Sequence, residues 1–364
     1  MRFLKLHTSR RFLCGAVFIA SLLLVFIVAL SFLTSGAQQP TLKEVVVQRA
    51  EDQSKKSTDT LRFAAVGDFG ATADAKAVLA TIGKETPDFT LALGDLSYGE
   101  VPEKDWCALV QSTLGSTHPF EIVAGNHDTD GMKVGSGKGH IYDFAACLPN
   151  RMPTLQGEYG LNYYFDYKDL VRAVMIAPDI TLENHKYDYT RGQPDYEWLK
   201  NVLVDAASKS VPWVVVGMHK NCITLGEKTC EIGTDLTDLL VEQKVDLILQ
   251  GHEHAYFRSK QLKIDAECPT LQPKAFKRSC VDEGVENSKY QKGTGTIVAI
   301  PGTGGRALRD VNLSRPEKDY FAAWSGKNVD PAYGPLIVDL QKNLLAAYFM
   351  GVDGKKHDVF SVSR

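Results

Sequence analysis

The chain reads as an α/β protein, a four-layer αββα sandwich in which two mixed β-sheets are flanked by helices. Two observations predict it. From Leu61 onward, short runs of branched and apolar residues alternate with helix-period segments, the pattern of crossover connections in a largely parallel sheet. The last stretch, "GTIVAIPGTGG" and "PLIVDLQKNLLAAYFM", then supplies strands that complete a second sheet. With 364 residues, 44% of them apolar, the chain can bury a core of that size in one large domain or at most two.

Taken in order, "LRFAAVGD" is a strand reaching Asp68, "ADAKAVLATIGKE" a helix, "DFTLALGD" a strand reaching Asp95, and "EKDWCALVQSTL" a second helix. "PFEIVAGNHD" repeats the strand and carries Asn126 and His127. Residues 129–160 hold glycine and proline with little periodicity and read as a long loop. "LNYYFDY" and "VRAVMIA" follow as strands and "PDYEWLKNVLVDAASK" as a helix. "PWVVVGMH" is a strand ending at His219, "TDLTDLLVEQK" a helix, and "VDLILQGHEH" a strand carrying His252 and His254. Residues 264–292 read as another loop.

The amino terminus is of a different kind. Arg2, Lys5, Arg10 and Arg11 precede Phe12 to Leu33, a stretch without charge that is long enough to cross a bilayer. Basic residues stay on the cytoplasmic side, which puts the rest of the chain outside the cytoplasm. Residues 1–37 are thus a signal anchor with a transmembrane segment at 12–33, or a signal peptide cut near the small residues Ser35–Ala37. The chain is then single-pass membrane-anchored or secreted. A polar linker, 38–60, leads into the catalytic domain expected over 61–364.

Six cysteines remain besides Cys14, an even number that suggests disulfides in an exported chain. Fifteen pairings are open. Proximity favours Cys222 with Cys230 and Cys268 with Cys280, leaving Cys107 with Cys147; no C-x-x-C pair argues for structural zinc. The formal net charge is −3, more negative once the four leading cations are set aside, and no basic stripe points to nucleic acid. No feature identifies a protein partner. Asn312-Leu313-Ser314 is a glycosylation acceptor if a eukaryote exports the chain.

Five strand ends carry metal-ligand types: Asp68; Asp95 with Tyr98; Asn126 with His127; His219; and His252 with His254. In extended backbone the last two imidazoles would project to one side. Each residue alone has a plainer role: an N-cap for Asp68 or Asp95, a turn for Asn126, packing for Tyr98, a satisfied core histidine for His219. Five such coincidences at the carboxyl edge of one fold argue for a single site.

In order, "GDFG", "GDLSY", "GNHD", "VGMH" and "GHEH" resemble the motif series of the calcineurin-like metallophosphoesterases, over roughly residues 61–258. The tyrosine three residues after the second aspartate is similar to the purple acid phosphatase branch. The resemblance implies Asp68, Asp95, Tyr98 and His254 around a ferric ion, and Asp95, Asn126, His219 and His252 around Fe(II), Zn(II) or Mn(II), with Asp95 bridging. It further implies hydrolysis of phosphate monoesters by a metal-bound hydroxide, with His127 donating a proton to the leaving oxygen or binding phosphate. Substrates would be phosphorylated small molecules or phosphoproteins.

Departures from the family bear on substrate choice. Where animal members place a second functional histidine nine residues after the ligand histidine, Lys228 stands here, and it would hold phosphate as a point charge or be simply solvated. Lys220 has the same two readings. "GTGG" at Gly302–Gly305 is similar to a glycine loop lining the family's pocket, or is a turn. Two rival functions remain: a Mn/Zn phosphodiesterase of the same fold in which Tyr98 faces away, and a non-catalytic membrane-tethered binding module.

Overall fold

The computed structural model describes residues 60–129, 137–282, 284 and 288–364; the apolar segment 12–33 and the linker up to residue 59 lie outside them. Among the described residues no helix is long and apolar enough to cross a membrane.

The chain runs β1 (Thr60–Val66), α1 (Ala73–Glu85), β2 (Phe89–Ala92), α2 (Glu103–Leu114), β3 (Phe120–Ile122), α3 (Ile141–Cys147), β4 (Gln156–Gly157), β5 (Tyr163–Tyr167) and β6 (Val171–Met175). A small hairpin, β7 (Thr181–Leu182) and β8 (His185–Lys186), precedes α4 (Pro194–Ser208), β9 (Trp213–Met218), α5 (Thr234–Glu242), β10 (Leu247–Gln250) and β11 (Tyr256–Ser259). After the short pair β12 (Gln261–Leu262) and β13 (Val281–Asp282) come β14 (Lys289–Gln291), β15 (Ile297–Pro301), β16 (Phe321–Ser325), β17 (Leu336–Gln341), β18 (Leu344–Met350) and β19 (Lys356–Ser363).

One sheet has the order β14-β19-β18-β17-β1-β2-β3, the other β16-β11-β15-β10-β9-β6-β5-β4. Each has a parallel run: β1, β2 and β3 at one end of the first, and β6, β9, β10 and β15 in the middle of the second. Helices connecting parallel neighbours must lie over a sheet face, which leaves the opposite face for the other sheet. Side chains join the two inner faces. Phe89 stacks on Phe63 and meets Phe165 edge-on at 5.5 Å, the Tyr163 hydroxyl donates to Ile122 O at 2.8 Å, and Trp213 Nε1 donates to Gln341 O at 2.6 Å. Each fully buried ring of this kind contributes about 2 kcal/mol of apolar transfer.

Helices α1 and α2 cover the residues their periodicity predicts. The stretch 129–160 is less irregular than expected: α3 and β4 interrupt it, and α3 is too short for a periodic signal although Ile141 and Phe144 are buried. Likewise β13 and β14 fall within 264–292. Strands β11, β16 and β19 were not anticipated. The tail does not go to one sheet: β15 pairs with β10, whereas β17 pairs antiparallel with β1. The disulfides are Cys107–Cys147, which ties α2 to α3, Cys222–Cys230 and Cys268–Cys280.

Candidate metal centre

The parallel strands of both sheets end at a shared edge. Gly67 N donates to Pro301 O at 3.0 Å, and Gly251 N to His219 O at 2.9 Å. The chain then turns so sharply that Asp68, Asp95, Tyr98 and His252 take φ of 62, 54, 52 and 70°. Gly94 is required there, since a Cβ would lie 2.7 Å from Gly125 N at φ +81°. The capping role open to Asp68 is filled elsewhere: Thr72 caps α1 by accepting from Ala75 N at 3.1 Å. Pro102 stands at the N-cap of α2, which leaves Asp95 free as well.

All seven predicted donors are brought together, in two halves. In one, the Tyr98 hydroxyl lies 3.0 Å from Asp68 Oδ1 and 3.0 Å from His254 Nε2. In the other, His219 Nε2 lies 3.2 Å from Asp95 Oδ2, 3.2 Å from Asn126 Oδ1 and 3.1 Å from His252 Nδ1. Asp95 stands between the halves, bonded to His219 and close enough to Tyr98 to raise its pKa. The spacing rule for His252 and His254 does not hold as stated: His252 lies in left-handed backbone, and the two imidazoles serve different halves.

The far ring nitrogens are tied down. His219 Nδ1 pairs with Leu93 O at 2.8 Å and His254 Nδ1 with Ala307 O at 3.1 Å, so in each ring Nε2 is the nitrogen turned to the centre. His252 is turned the other way, with Nε2 on Glu231 Oε1 at 2.9 Å and Nδ1 inward. His127 is half-buried; its backbone N–H donates to Asp95 Oδ1 at 2.8 Å, its Nδ1 pairs with Gly137 O, and its ring lies 4.6 Å from that of Tyr98.

Lys220 and Lys228 part company. The Lys220 ammonium is held by Asp179 Oδ2 at 2.6 Å and Glu231 Oε2 at 3.1 Å. Lys228 lies close enough to lower the His252 pKa, and its backbone N–H donates to Glu253 Oε1. Glu253, the residue between the two histidines, is buried and also accepts from Thr224 Oγ1 and Glu227 N, which pins the Cys222–Cys230 loop. The "GTGG" turn packs under Asp68: Gly304 N donates to Gly67 O, and Arg306 N to Asp68 O.

Sequence reasoning passed over several supporting residues. Asp128 is fully buried and accepts from Asp95 N, Leu96 N and Gly125 N at 2.7, 3.0 and 2.8 Å, joining two of the donor-bearing loops. Its signal was its place at the end of "GNHD". Arg306 lies over the Tyr98 ring at 4.5 Å, and Arg309 donates to His252 O at 3.0 Å; neither carries a local sequence signal.

The electrostatics suit cations. Burial, aided by Asp95, pushes Asp68 up to about 8. Burial acts the same way on Asp95, but His219 outweighs it and holds that carboxylate below the usual range. Burial lowers His219, yet the Asp95 charge and hydrogen bond raise it to about 9. Burial brings His252 down to about 4 and, with Arg309, His254 to about 3, so both imidazoles are neutral, the form in which a histidine can bind a cation. The Tyr98 phenol is driven well up by burial and by Asp68 and Asp95, which is the work a bound cation would reverse. Converging lone pairs with restrained far nitrogens fit a pair of metal ions, and the Asp95, His219 and His252 ligand atoms lie within 4.8 Å of one another.

A two-sheet sandwich with oxygen and imidazole donors gathered at its strand ends is the architecture of a metallophosphoesterase. The calcineurin-like phosphoesterase family model matches residues 61–256, over half of the chain, and the chain belongs to that family. It is 29% identical over 215 residues to "Probable purple acid phosphatase 20" of Arabidopsis thaliana, covering 56% of this chain and 48% of that protein. It is 23% identical over 294 residues to "Probable inactive purple acid phosphatase 27" of the same plant, covering 76% and 43%. The chain therefore spans about half the length of the curated relatives it matches. A purple acid phosphatase from yellow lupin seeds superposes with a TM-score of 0.62 at 19% identity, over 84% of this chain and 54% of that one, a likeness of fold.

Proposed function

We propose that this chain hydrolyses phosphate monoesters at a binuclear centre, with Fe(III) held by Asp68, Asp95, Tyr98 and His254 and Fe(II), Zn(II) or Mn(II) held by Asp95, Asn126, His219 and His252. The observation that carries it is the phenol of Tyr98 turned inward between Asp68 and His254. Phenolate and carboxylate are hard donors suited to ferric iron, whereas imidazole and amide suit a borderline divalent ion. A bound ion pair supplies positive charge and an activated water for ester hydrolysis.

The chain's own groups do the rest. Asp95 carries negative charge into the pocket and Asp68 would add a second once a cation displaced its proton, and the fixed far nitrogens keep the imidazoles aimed without reorganisation. His127 has its Nδ1 anchored at Gly137 O, which leaves Nε2 to pass a proton to the leaving ester oxygen. Lys228, on the Cys222–Cys230 loop and felt electrostatically by His252, is the group we assign to the phosphate, as a point charge. Lys220, already shared between Asp179 and Glu231, is not assigned to substrate. The three disulfides suit an oxidising compartment, in keeping with a domain outside the cytoplasm, secreted or held by segment 12–33.

The test is metal analysis and a visible spectrum of the purified full-length chain, with assays on an aryl phosphate and its diester. A visible phenolate-to-iron band with monoester hydrolysis supports the proposal. A colourless protein with two divalent ions and diesterase activity overturns it in favour of the phosphodiesterase. Protein without metal or hydrolysis leaves the non-catalytic module, and three of the relatives bear the description inactive.

A further inference from the structure

Glu231 immediately follows Cys230, whose disulfide to Cys222 folds the loop back against the end of β9. There its backbone N–H donates to Asn221 O at 3.1 Å. Its carboxylate then does two things at once: Oε1 lies 2.9 Å from His252 Nε2, and Oε2 lies 3.1 Å from the Lys220 ammonium. Lys220 is gripped in turn by Asp179 Oδ2 at 2.6 Å, and Asp179 also holds Lys186 at 2.7 Å. Asp179, Lys220 and Glu231 thus form one line of alternating charge that ends on the His252 imidazole of the candidate metal centre.

We infer that Glu231 is the positioning residue for His252, fixing the tautomer that carries its proton on Nε2 and turns the Nδ1 lone pair inward, with Lys220 and Asp179 fixing Glu231. An imidazole has two equivalent-looking edges, and a ring free to flip or to shift its proton would present N–H to a cation half the time. A carboxylate on the far nitrogen removes that choice and makes the near nitrogen more basic. His219 and His254 obtain the same restraint from backbone carbonyls, which no substitution removes. His252 alone among the three depends on a side chain, and that side chain depends on Lys220. This accounts for a lysine, buried to 9% exposure, that the substrate reading leaves without a task.

The inference rests on the proposal that these residues hold cations, and the experiment separates the two. Full-length protein carrying Fe(III) is titrated with Zn(II) against a competing chelator, for wild type, Glu231→Ala, Glu231→Gln and Lys220→Met. Glu231→Ala should weaken Zn(II) by about 10- to 100-fold while the visible iron band stays, because Asp68, Tyr98 and His254 are untouched. Glu231→Gln keeps an acceptor and should recover most of the affinity. Lys220→Met should weaken Zn(II) in the same direction as Glu231→Ala, by a smaller factor. Unchanged Zn(II) affinity in Glu231→Ala, or equal loss of both ions with a lowered melting temperature, would overturn the inference and leave the proposed function standing. A raised KM at unchanged Zn(II) affinity in Lys220→Met would return Lys220 to the substrate. Wild-type protein that takes up no Zn(II) would sink both.

Discussion

Asp128→Ala tests how the two donor-bearing loops are held. The substitution removes one carboxylate that accepts from Asp95 N at 2.7 Å, Gly125 N at 2.8 Å and Leu96 N at 3.0 Å, all in a fully buried setting. An unmet buried donor costs about 1–3 kcal/mol, so three cost roughly 3–9 if nothing compensates. Two things reduce this. Water can enter the space the carboxylate vacates, and burial together with the Asp95 charge already pushes Asp128 up to about 7, so the native carboxylate is itself under stress. The expected loss is about 3–5 kcal/mol. At about 2 °C per kcal/mol for a domain of this size, the unfolding midpoint should fall by about 6–10 °C. Thermal melts by circular dichroism, with and without chelator, read this directly, and metal content after dialysis reads the effect on Asp95 and Asn126. Asp128→Asn, which keeps one acceptor oxygen, should fall between. An Asp128→Ala protein that melts within a degree of wild type and keeps its metal would refute the clamp.

Tyr98→Phe keeps the ring packed against His127 and loses only the hydroxyl between Asp68 and His254; the visible band should vanish and hydrolysis fall at least about tenfold, and a coloured variant contradicts phenolate ligation. His127→Ala should lower turnover by about a hundredfold or more with metal content intact, whereas loss of metal would make His127 a ligand. Glu121 gives a pH prediction. Burial raises it from 4.5 to about 7, and one of its oxygens has no partner among the described residues. The folded chain holds that proton more tightly than the unfolded one, so stability is full below about 4.5 and declines as pH rises to about 7. Glu121→Gln should therefore gain up to roughly 3 kcal/mol at pH 8 and nothing at pH 4, read from melts at the two values.

What the sequence made legible was whatever a short window contains. The strand-glycine-donor pattern located Asp68, Asp95, Asn126, His219 and the two histidines around Glu253, because each motif announces its own turn. Residues whose role lies in a neighbour's backbone were not legible. Asp128 matters through N–H groups of residues 95, 96 and 125, whose directions exist only after folding. Glu231 reaches His252 only because a disulfide returns its loop, and nothing in "TCEIGTD" signals that. The ion pair of Lys220 was not legible for a related reason: its partner Asp179 is 41 residues away. Among the elements, α3 and the edge strand β16 were too short to show a period.

The left-handed backbone at Tyr98 and His252 has an evolutionary corollary. A bulky L-residue held there costs roughly 1 kcal/mol relative to a relaxed conformation, and asparagine or glycine sits more easily. Backbone comfort taken alone would drift those two positions toward such residues and erase the donors with them. The buried rings weigh against that drift: asparagine at 98 or 252 would recover the backbone cost and forfeit packing worth about 2 kcal/mol or more, so the same side chains that offer the donor atoms also hold the turn in its unfavourable conformation.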